Sequence, residues 1–382
     1  MSTFALNDTQ SQFLAEARRL TREVLRPLAE KGEEGRVNRP LLAAAAQVDL
    51  LPRLFPKELG GSADAVSAMD LCLLREGIAT ECSEAETAVA LQGLGSYPIL
   101  QSGRPELAAR FIPEVAAGRM VAAFALTEPE AGSDPANLQL AARRDGDDWV
   151  LSGSKIYISN APEADVYTIF ARTGPGEGAK GVTAFALPGD AEGLSGQHLE
   201  LLAPHPIGTL ELDDVRLPGD HVLGEVGEGF KVALRTLDLF RPSVGAFAVG
   251  MGQSALDAAL ARAASREQFG KSLSEFQGLS HRLAEAATNL EASRLLVYRA
   301  AAAHDSGRGR TTKEAAMAKL HATETAQAVV DLSIQVHGAS GLVKGHLLEH
   351  LYREVRAPRI YEGTSEIQRD IIARQLFRSL KD

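Results

Sequence analysis

Cysteine is scarce: 382 residues hold two, Cys72 and Cys82, and no CxxC spacing. That excludes a disulfide framework or a cysteine-rich zinc cluster and points to a reducing compartment. Basic residues do not prevail, since 40 lysines and arginines face 50 aspartates and glutamates for a formal charge of -10. This balance argues against a general nucleic-acid surface. No apolar run reads as membrane-spanning. The opening MSTFALNDTQSQFLAEARRL carries Asp8 and Glu16 early, unlike a signal peptide. A cytoplasmic protein without a membrane span is expected. No HExxH pair occurs among the nine histidines, so no metal site is expected. A GxSxG nucleophile elbow is missing too, as are a repeat period and a low-complexity tract. Proline becomes rare late in the chain, with only Pro242 and Pro358 after Pro218. Such a stretch suits long helices.

What is present is enough apolar sequence, 45% of residues, to bury two or three structural units. In SQFLAEARRLTREVLRPLAE the residues Phe13, Leu14, Ala17, Leu20, Val24 and Leu25 recur at helical spacing. The segments AVSAMDLCLLREGIAT and PELAARFIPEVAAG read likewise, and residues 1–120 are expected to form a helical domain. From 121 to 228, short β-branched and aromatic runs alternate with Gly, Pro, Asn and Asp, as in DDWVLSGSKIYISN and IGTLELDDVRLPGD. These are strand and turn signals for a β-domain. Residues 229–382 return to long alanine-rich helices, four in number, and predict a helix bundle.

Two nucleotide motifs lack their context. GMGQSA (250–255) matches GxGxxA but sits inside a helical pattern with no strand before it, so close helix packing is the expected role. SREQFGKS (265–272) has Ser265 where a P-loop needs its first glycine. Three polar patches remain. AFALTEPEAGSD (123–134) runs from a strand into Thr127, Gly132 and Ser133, which reads either as a capped loop or as a ligand loop with free amides and hydroxyls. In GSKIYISNAPEAD, Tyr157 and Ser159 alternate with Ile156 and Ile158. One strand face would then carry an aromatic and a hydroxyl, suited to a planar ring or simply half-buried. In the third patch Arg266 precedes Phe269-Gly270, with Gln277 and Gln335 further on. Arginine there could meet a phosphate or only solvent. Finally, RIYEGTSEIQRDIIAR (359–374) places Glu362 ahead of a helix start that Ser365 and Gln368 would cap.

Taken together, LTEPEAGSD, KIYISN, GEVGEGF, SREQFGKSLSEFQ, QVHGASG and IYEGTSEIQR resemble, in order and spacing, the acyl-CoA dehydrogenase family over nearly the whole chain. The resemblance implies a mainly α protein with a β-domain: an N-terminal helical domain, a middle β-barrel-like domain and a C-terminal four-helix bundle, in a homotetramer. It implies FAD as cofactor, an acyl-CoA substrate and an electron-transfer flavoprotein as partner. It assigns FAD contacts to Phe124, Leu126, Thr127, Gly132 and Ser133, and to Tyr157, Ile158 and Ser159. FAD of a neighbouring subunit would meet Arg266, Gln268, Phe269, Phe276 and Gln277, and also Gln335, Val336, Gly338 and Ala339. Thr364 and Glu366 are further FAD positions. Ser133, Asp238, Arg241 and Gly363 fall at the substrate.

Glu362 is the implied base for the α-proton, with the β-hydride passing to flavin N5 and the product a trans-2-enoyl-CoA. Enclosure near Tyr361 would raise its pKa toward that task. Phe240 occupies the alternative base position of other family branches and cannot accept a proton. The pocket base would involve the helix around Glu86, Ala90, Gly93 and Leu94, where small Ala90 and Gly93 leave room that Leu91 could remove. Three departures stand out: Ala339 replaces the second glycine of a usual pair, Ser265 stands where glutamate is common, and the segment 202–212 looks shortened. A flavin oxidase on the same fold and a DNA-associated flavoprotein are the alternatives, the latter disfavoured by the acidic charge.

Overall fold

The computed structural model describes residues 6–174, 178–307, 309–378 and 380. The first helix, α1 (Asp8–Leu20), starts on a capping box in which Asn7 Oδ1 accepts from the Gln10 amide and Gln10 Oε1 from the Asn7 amide. A π-turn, Thr21–Leu25, leads into α2 (Arg26–Ala29). In α3 (Arg39–Gln47) Pro40 sits in the first turn, where the missing N–H costs no intrahelical bond. Next come α4 (Ala68–Glu81), α5 (Ser83–Ser102) and α6 (Pro105–Ala116).

The strands follow: β1 (Ala122–Ala125), β2 (Ala141–Asp145), β3 (Asp148–Ser159), β4 (Val166–Arg172), β5 (Val182–Pro188), β6 (Leu194–Ser195), β7 (Ile207–Leu217) and β8 (Val222–Leu223). They form one sheet in the order β6-β7-β3-β2-β4-β5-β8, with β1 pairing parallel to β4. The helical part then resumes with α7 (Gly229–Ser265). A two-residue hairpin joins β9 (Glu267–Gln268) to β10 (Lys271–Ser272), and α8 (Gln277–Asp305), α9 (Thr312–His337), α10 (Leu347–Glu354) and α11 (Ser365–Arg378) close the chain. The helical, β, helical order is the expected one. Helix α10 was not anticipated, although Leu348 and Leu351, both buried, lie at helical spacing.

By packing, the chain divides into two compact units, one of Pro27–Val66 and Thr87–Leu237, the other of Met1–Arg26, Ser67–Glu86 and Asp238–Asp382. The first holds the sheet, whose core includes Leu151, Tyr167, Ile169, Phe185 and Val215, all 0% exposed. In the second, α4 is gripped by the C-terminal helices. Asp305 accepts from the Ser67 hydroxyl and from the amides of Ala68 and Met69, while Glu76 pairs with Arg294 at 2.8 Å and accepts from the Tyr298 hydroxyl. The packing role expected of GMGQSA is visible here. A Cβ on Gly250 would come within 2.7 Å of both the Ala79 Cβ and the Glu76 carbonyl.

One expectation needs amending. Helix α7 is long and apolar enough to cross a membrane, but 67% of its apolar stretch is buried within the protein, as in a core helix.

Candidate active site

In the unit that carries the bundle, the segment before α11 turns sharply. Glu362 has φ +52° and Gly363 φ +90°. Left-handed backbone is unfavourable for glutamate by roughly 1 kcal/mol, and such strain persists only where surrounding contacts impose it. A side chain at Gly363 would be strained at φ +90°, and its Cβ would lie 2.6 Å from Gln368 Nε2, which would have to shift. The anticipated Ser365–Gln368 cap is displaced by one residue. Thr364 is the cap, its hydroxyl accepting from the Ile367 amide at 3.3 Å and its carbonyl from the Gln368 amide at 2.9 Å. Ser365 is the first helical residue and donates to Glu324 instead. Gln368 faces inward, fully buried.

The Glu362 carboxyl oxygen Oε2 is shut off from solvent and has no hydrogen-bond partner among the described residues. Its pKa is raised by burial, against the opposing pull of Arg75, Arg241 and Lys319. These three cations are themselves buried, at 6%, 6% and 0% exposure. Arg75 Nε is paired with the carboxylate of Glu86, and its Nη1 donates to Ser243 Oγ at 2.8 Å. Arg241 pairs with Asp238 at 3.2 Å, and Asp238 accepts from the Thr312 hydroxyl at 3.2 Å. Asp238 and Arg241, expected at the substrate, thus form a supported pair whose guanidinium charge acts on Glu362. Phe240 is buried apolar core, 2% exposed. Glu86, expected at the pocket base, is committed to Arg75, and Ala90 is buried.

Nearby, burial pushes the Glu354 carboxyl up to about 7, with Glu84 and Glu86 adding to the rise. A carboxyl whose folded pKa lies above its unfolded one stabilises the fold below the unfolded value and loses that contribution as pH climbs through the folded one. The window here runs from about 4.5 to about 7. Glu354→Gln is therefore expected to raise stability at pH 8 by on the order of 3 kcal/mol and to change little at pH 4. Urea unfolding at the two pH values measures the difference.

The sheet unit gathers the first two sequence patches. The Ile156 amide donates to the Thr127 carbonyl at 3.1 Å, and buried Lys155 Nζ donates to the Leu126 carbonyl at 3.1 Å and pairs with Glu128 at 2.8 Å. Glu128 also accepts from the Leu140 amide at 2.9 Å, so this acid is spent on structure. Phe124 packs on Phe170, ring centres 5.0 Å apart. Leu126 and Ile158 are buried, Thr127 is half-buried, and Gly132 and Ser133 are exposed. A Cβ on Gly132 would meet open space, so no packing among the described residues demands glycine there.

The simple alternation expected for Tyr157 is broken by a bulge. Lys155 pairs with Leu210 and Ile158 with Gly208, three steps on β3 against two on β7. Tyr157 consequently takes φ +56° and stands 56% exposed. The Ser159 hydroxyl bonds His205 Nε2 at 2.8 Å. Burial pushes that ring down to about 4, so it is neutral near pH 7.

The third patch forms the β9–β10 hairpin. Phe269 and Gly270, both with positive φ, make its turn, and Phe269 is 93% exposed with its ring 6.3 Å from Phe276. Arg266, Gln268 and Gln277 are exposed beside it. At the end of α9, Gln335, Gly338 and Ala339 are exposed and Val336 is buried. Thr364 is half-buried and Glu366 exposed at the start of α11. Sequence reasoning missed Arg75, Lys319 and His205, and gave Gln368 a capping role in place of its bonds to the Glu362 and Gly363 carbonyls. The signal for the first two was present, since each is a basic residue inside a mostly apolar helical run, Arg75 beside Glu76 in LCLLREGIA and Lys319 in AAMAKLHA.

Known proteins match the chain along most of its length. Residues 7–119, 123–215 and 227–377 match the N-terminal, middle and C-terminal domains of acyl-CoA dehydrogenases. Cyclohexane-1-carbonyl-CoA dehydrogenase of Geobacter metallireducens is 36% identical over 94% of this chain and 95% of its own. The subunit CarC of the caffeyl-CoA reductase–Etf complex of Acetobacterium woodii is 35% identical, covering 94% of each. Among solved structures, the FAD complex of PigA superposes with a TM-score of 0.92 at 29% identity, covering 98% of this chain and 99% of that one.

Proposed function

The chain belongs to the acyl-CoA dehydrogenase family and is an FAD-dependent oxidoreductase, and from that premise we propose that it converts an acyl-CoA thioester to the trans-2-enoyl-CoA with Glu362 as the base. The observation that carries this reading is the Glu362 carboxyl: Oε2 is buried without a hydrogen-bond partner among the described residues, and three cations face it. A carboxylate committed to structure would be paired, as Glu128 and Glu86 are. Glu362 Oε2 takes the α-proton of the thioester. Burial makes it a stronger base than an exposed carboxylate, while Arg75, Arg241 and Lys319 keep its ionised form accessible. Left-handed Gly363 keeps the backbone beside the base free of a side chain.

The residues on the sheet unit fit a flat, polar-edged group. Exposed Tyr157 offers a ring, and Thr127, Ser133 and Ser159 of the same unit offer hydroxyls. These would hold FAD, and on the bundle unit Arg266 and Phe269 of the hairpin, Gln335, Thr364 and Glu366 are separately assigned as FAD positions. When bound, FAD supplies the acceptor for the hydride that leaves the β-carbon. We assign the hairpin and α9-end contacts to a neighbouring subunit of a homotetramer, and the electrons to an electron-transfer flavoprotein. The relationship to a subunit of a complex named for Etf supports that partner.

The test is a panel of acyl-CoA thioesters of graded length and branching, assayed with an artificial acceptor, with electron-transfer flavoprotein and with oxygen. The expected result is 2-enoyl-CoA formation with the first two and slow oxygen use. Rapid hydrogen peroxide formation without a protein acceptor would identify an oxidase instead.

A further inference from the structure

Lys319 sits in the middle of α9 with none of its surface exposed. A buried ammonium is costly unless its charge and donors are used. Lys319 Nζ donates to the Gly363 carbonyl at 2.7 Å. Gln368, also fully buried, donates from Nε2 to the same carbonyl at 3.0 Å and to the Glu362 carbonyl at 3.1 Å. Both carbonyls of the left-handed pair are therefore held from inside the protein. The arrangement costs Gln368 its other half, since Oε1 has no partner among the described residues. Turning the amide over would set that oxygen against two carbonyl oxygens, so the two carbonyls fix its orientation.

The charges around the base separate by role. Arg75 is paired with Glu86 and Arg241 with Asp238, whereas Lys319 makes no ion pair among the described residues. The charged groups acting on Lys319 are Glu362, Arg241, Glu324 and Glu366, and Glu324 is itself paired with Arg359 at 2.8 Å. Of the three cations facing Glu362, Lys319 is also the one whose charge can be lost, because guanidinium does not deprotonate in proteins.

We propose that Lys319 and Gln368 are positioning residues for Glu362, holding it in its left-handed turn, and that the Lys319 ammonium keeps its carboxyl ionised. This rests on Glu362 being the base. Glu362 must be ionised to accept a proton, so removing a facing cation raises its pKa and moves the acidic limb of the kcat–pH profile upward.

The experiment compares FAD-loaded Lys319→Gln, Lys319→Met and Gln368→Met with the parent across pH, alongside Glu362→Gln. Lys319→Gln keeps a donor but no charge, and its acidic limb is expected to rise by roughly one pH unit. Gln368→Met loses donors only, and is expected to lose roughly tenfold or more in kcat with the limb unmoved and KM nearly constant. Lys319→Met combines both effects. A parental limb in Lys319→Gln together with parental kcat in Gln368→Met overturns the proposal, as does a lowered melting temperature with kcat and limb unchanged. If Lys319→Met does not fold, the other two variants decide. Full activity in Glu362→Gln would defeat the assignment of the base. An inactive Glu362→Gln beside unaffected Lys319 and Gln368 variants would defeat the positioning role alone.

Discussion

Glu362→Gln is expected to lower acyl-CoA turnover by about 10²–10⁴-fold, the usual contribution of a positioned base, while FAD content and folding stay intact. The isosteric amide cannot accept the α-proton, yet it fills the same space. No hydrogen-bond partner is stranded by the change, because Oε2 has none among the described residues, but the carboxylate charge that favours the buried Lys319 ammonium is lost, so a modest fall in melting temperature is expected beside the much larger loss of turnover. Glu362→Asp tests geometry. It keeps the carboxylate but withdraws it by one methylene from a turn fixed at φ +52°, and should recover only part of the activity. Stopped-flow reduction of the bound flavin by acyl-CoA separates this step from later electron transfer. Parental reduction rates in Glu362→Gln would remove Glu362 from the chemistry.

Lys155→Met should have the largest effect on stability. The ammonium is 1% exposed and bridges Glu128 and the Leu126 carbonyl. Breaking a buried pair from one side leaves the other charge uncompensated, at about 3–5 kcal/mol. A fall in melting temperature on the order of 10 °C follows. The double variant Glu128→Gln/Lys155→Met removes both charges and should regain part of that loss, a coupling that a double-mutant cycle reads directly. Because the pair ties the Thr127 loop to β3, FAD retention should weaken in Lys155→Met. A melting curve overlying the parent's would show that the pair is not holding this loop.

Much of the architecture was legible because periodicity and proline placement act locally. The long helices α7, α8 and α9 lie where apolar spacing and the lack of proline put them, and the β-branched runs became strands. The misses came from effects that spacing does not carry. Strand alternation assigned Tyr157 to a regular face, but a bulge turned it outward with φ +56°. The cap fell on Thr364 because Gln368 is drawn inward by the carbonyls of Glu362 and Gly363. Glu362 itself could be named from its motif, whereas its cations could not. Arg75, Arg241 and Lys319 come from three helices far apart in sequence, and only tertiary packing gives them a common target.

The way α4 is enclosed bears on how the chain comes to fold. Twelve of its fourteen residues are buried; Glu81 at its end is held by Arg18 and Arg22 from upstream, whereas its downstream polar partners include Ser243, Arg294, Tyr298 and Asp305, the last held 236 to 238 residues away in sequence. During synthesis the helix emerges long before any of these downstream partners. The α1 helix, made earlier, covers one side of it at Gly77, but the side that meets α7 and α8 waits uncovered while more than half of the chain is made, and contacts of such sequence separation form slowly. For this fold the hazardous interval is the time between translating α4 and translating α8, when an apolar helix face without its partners is open to misassociation.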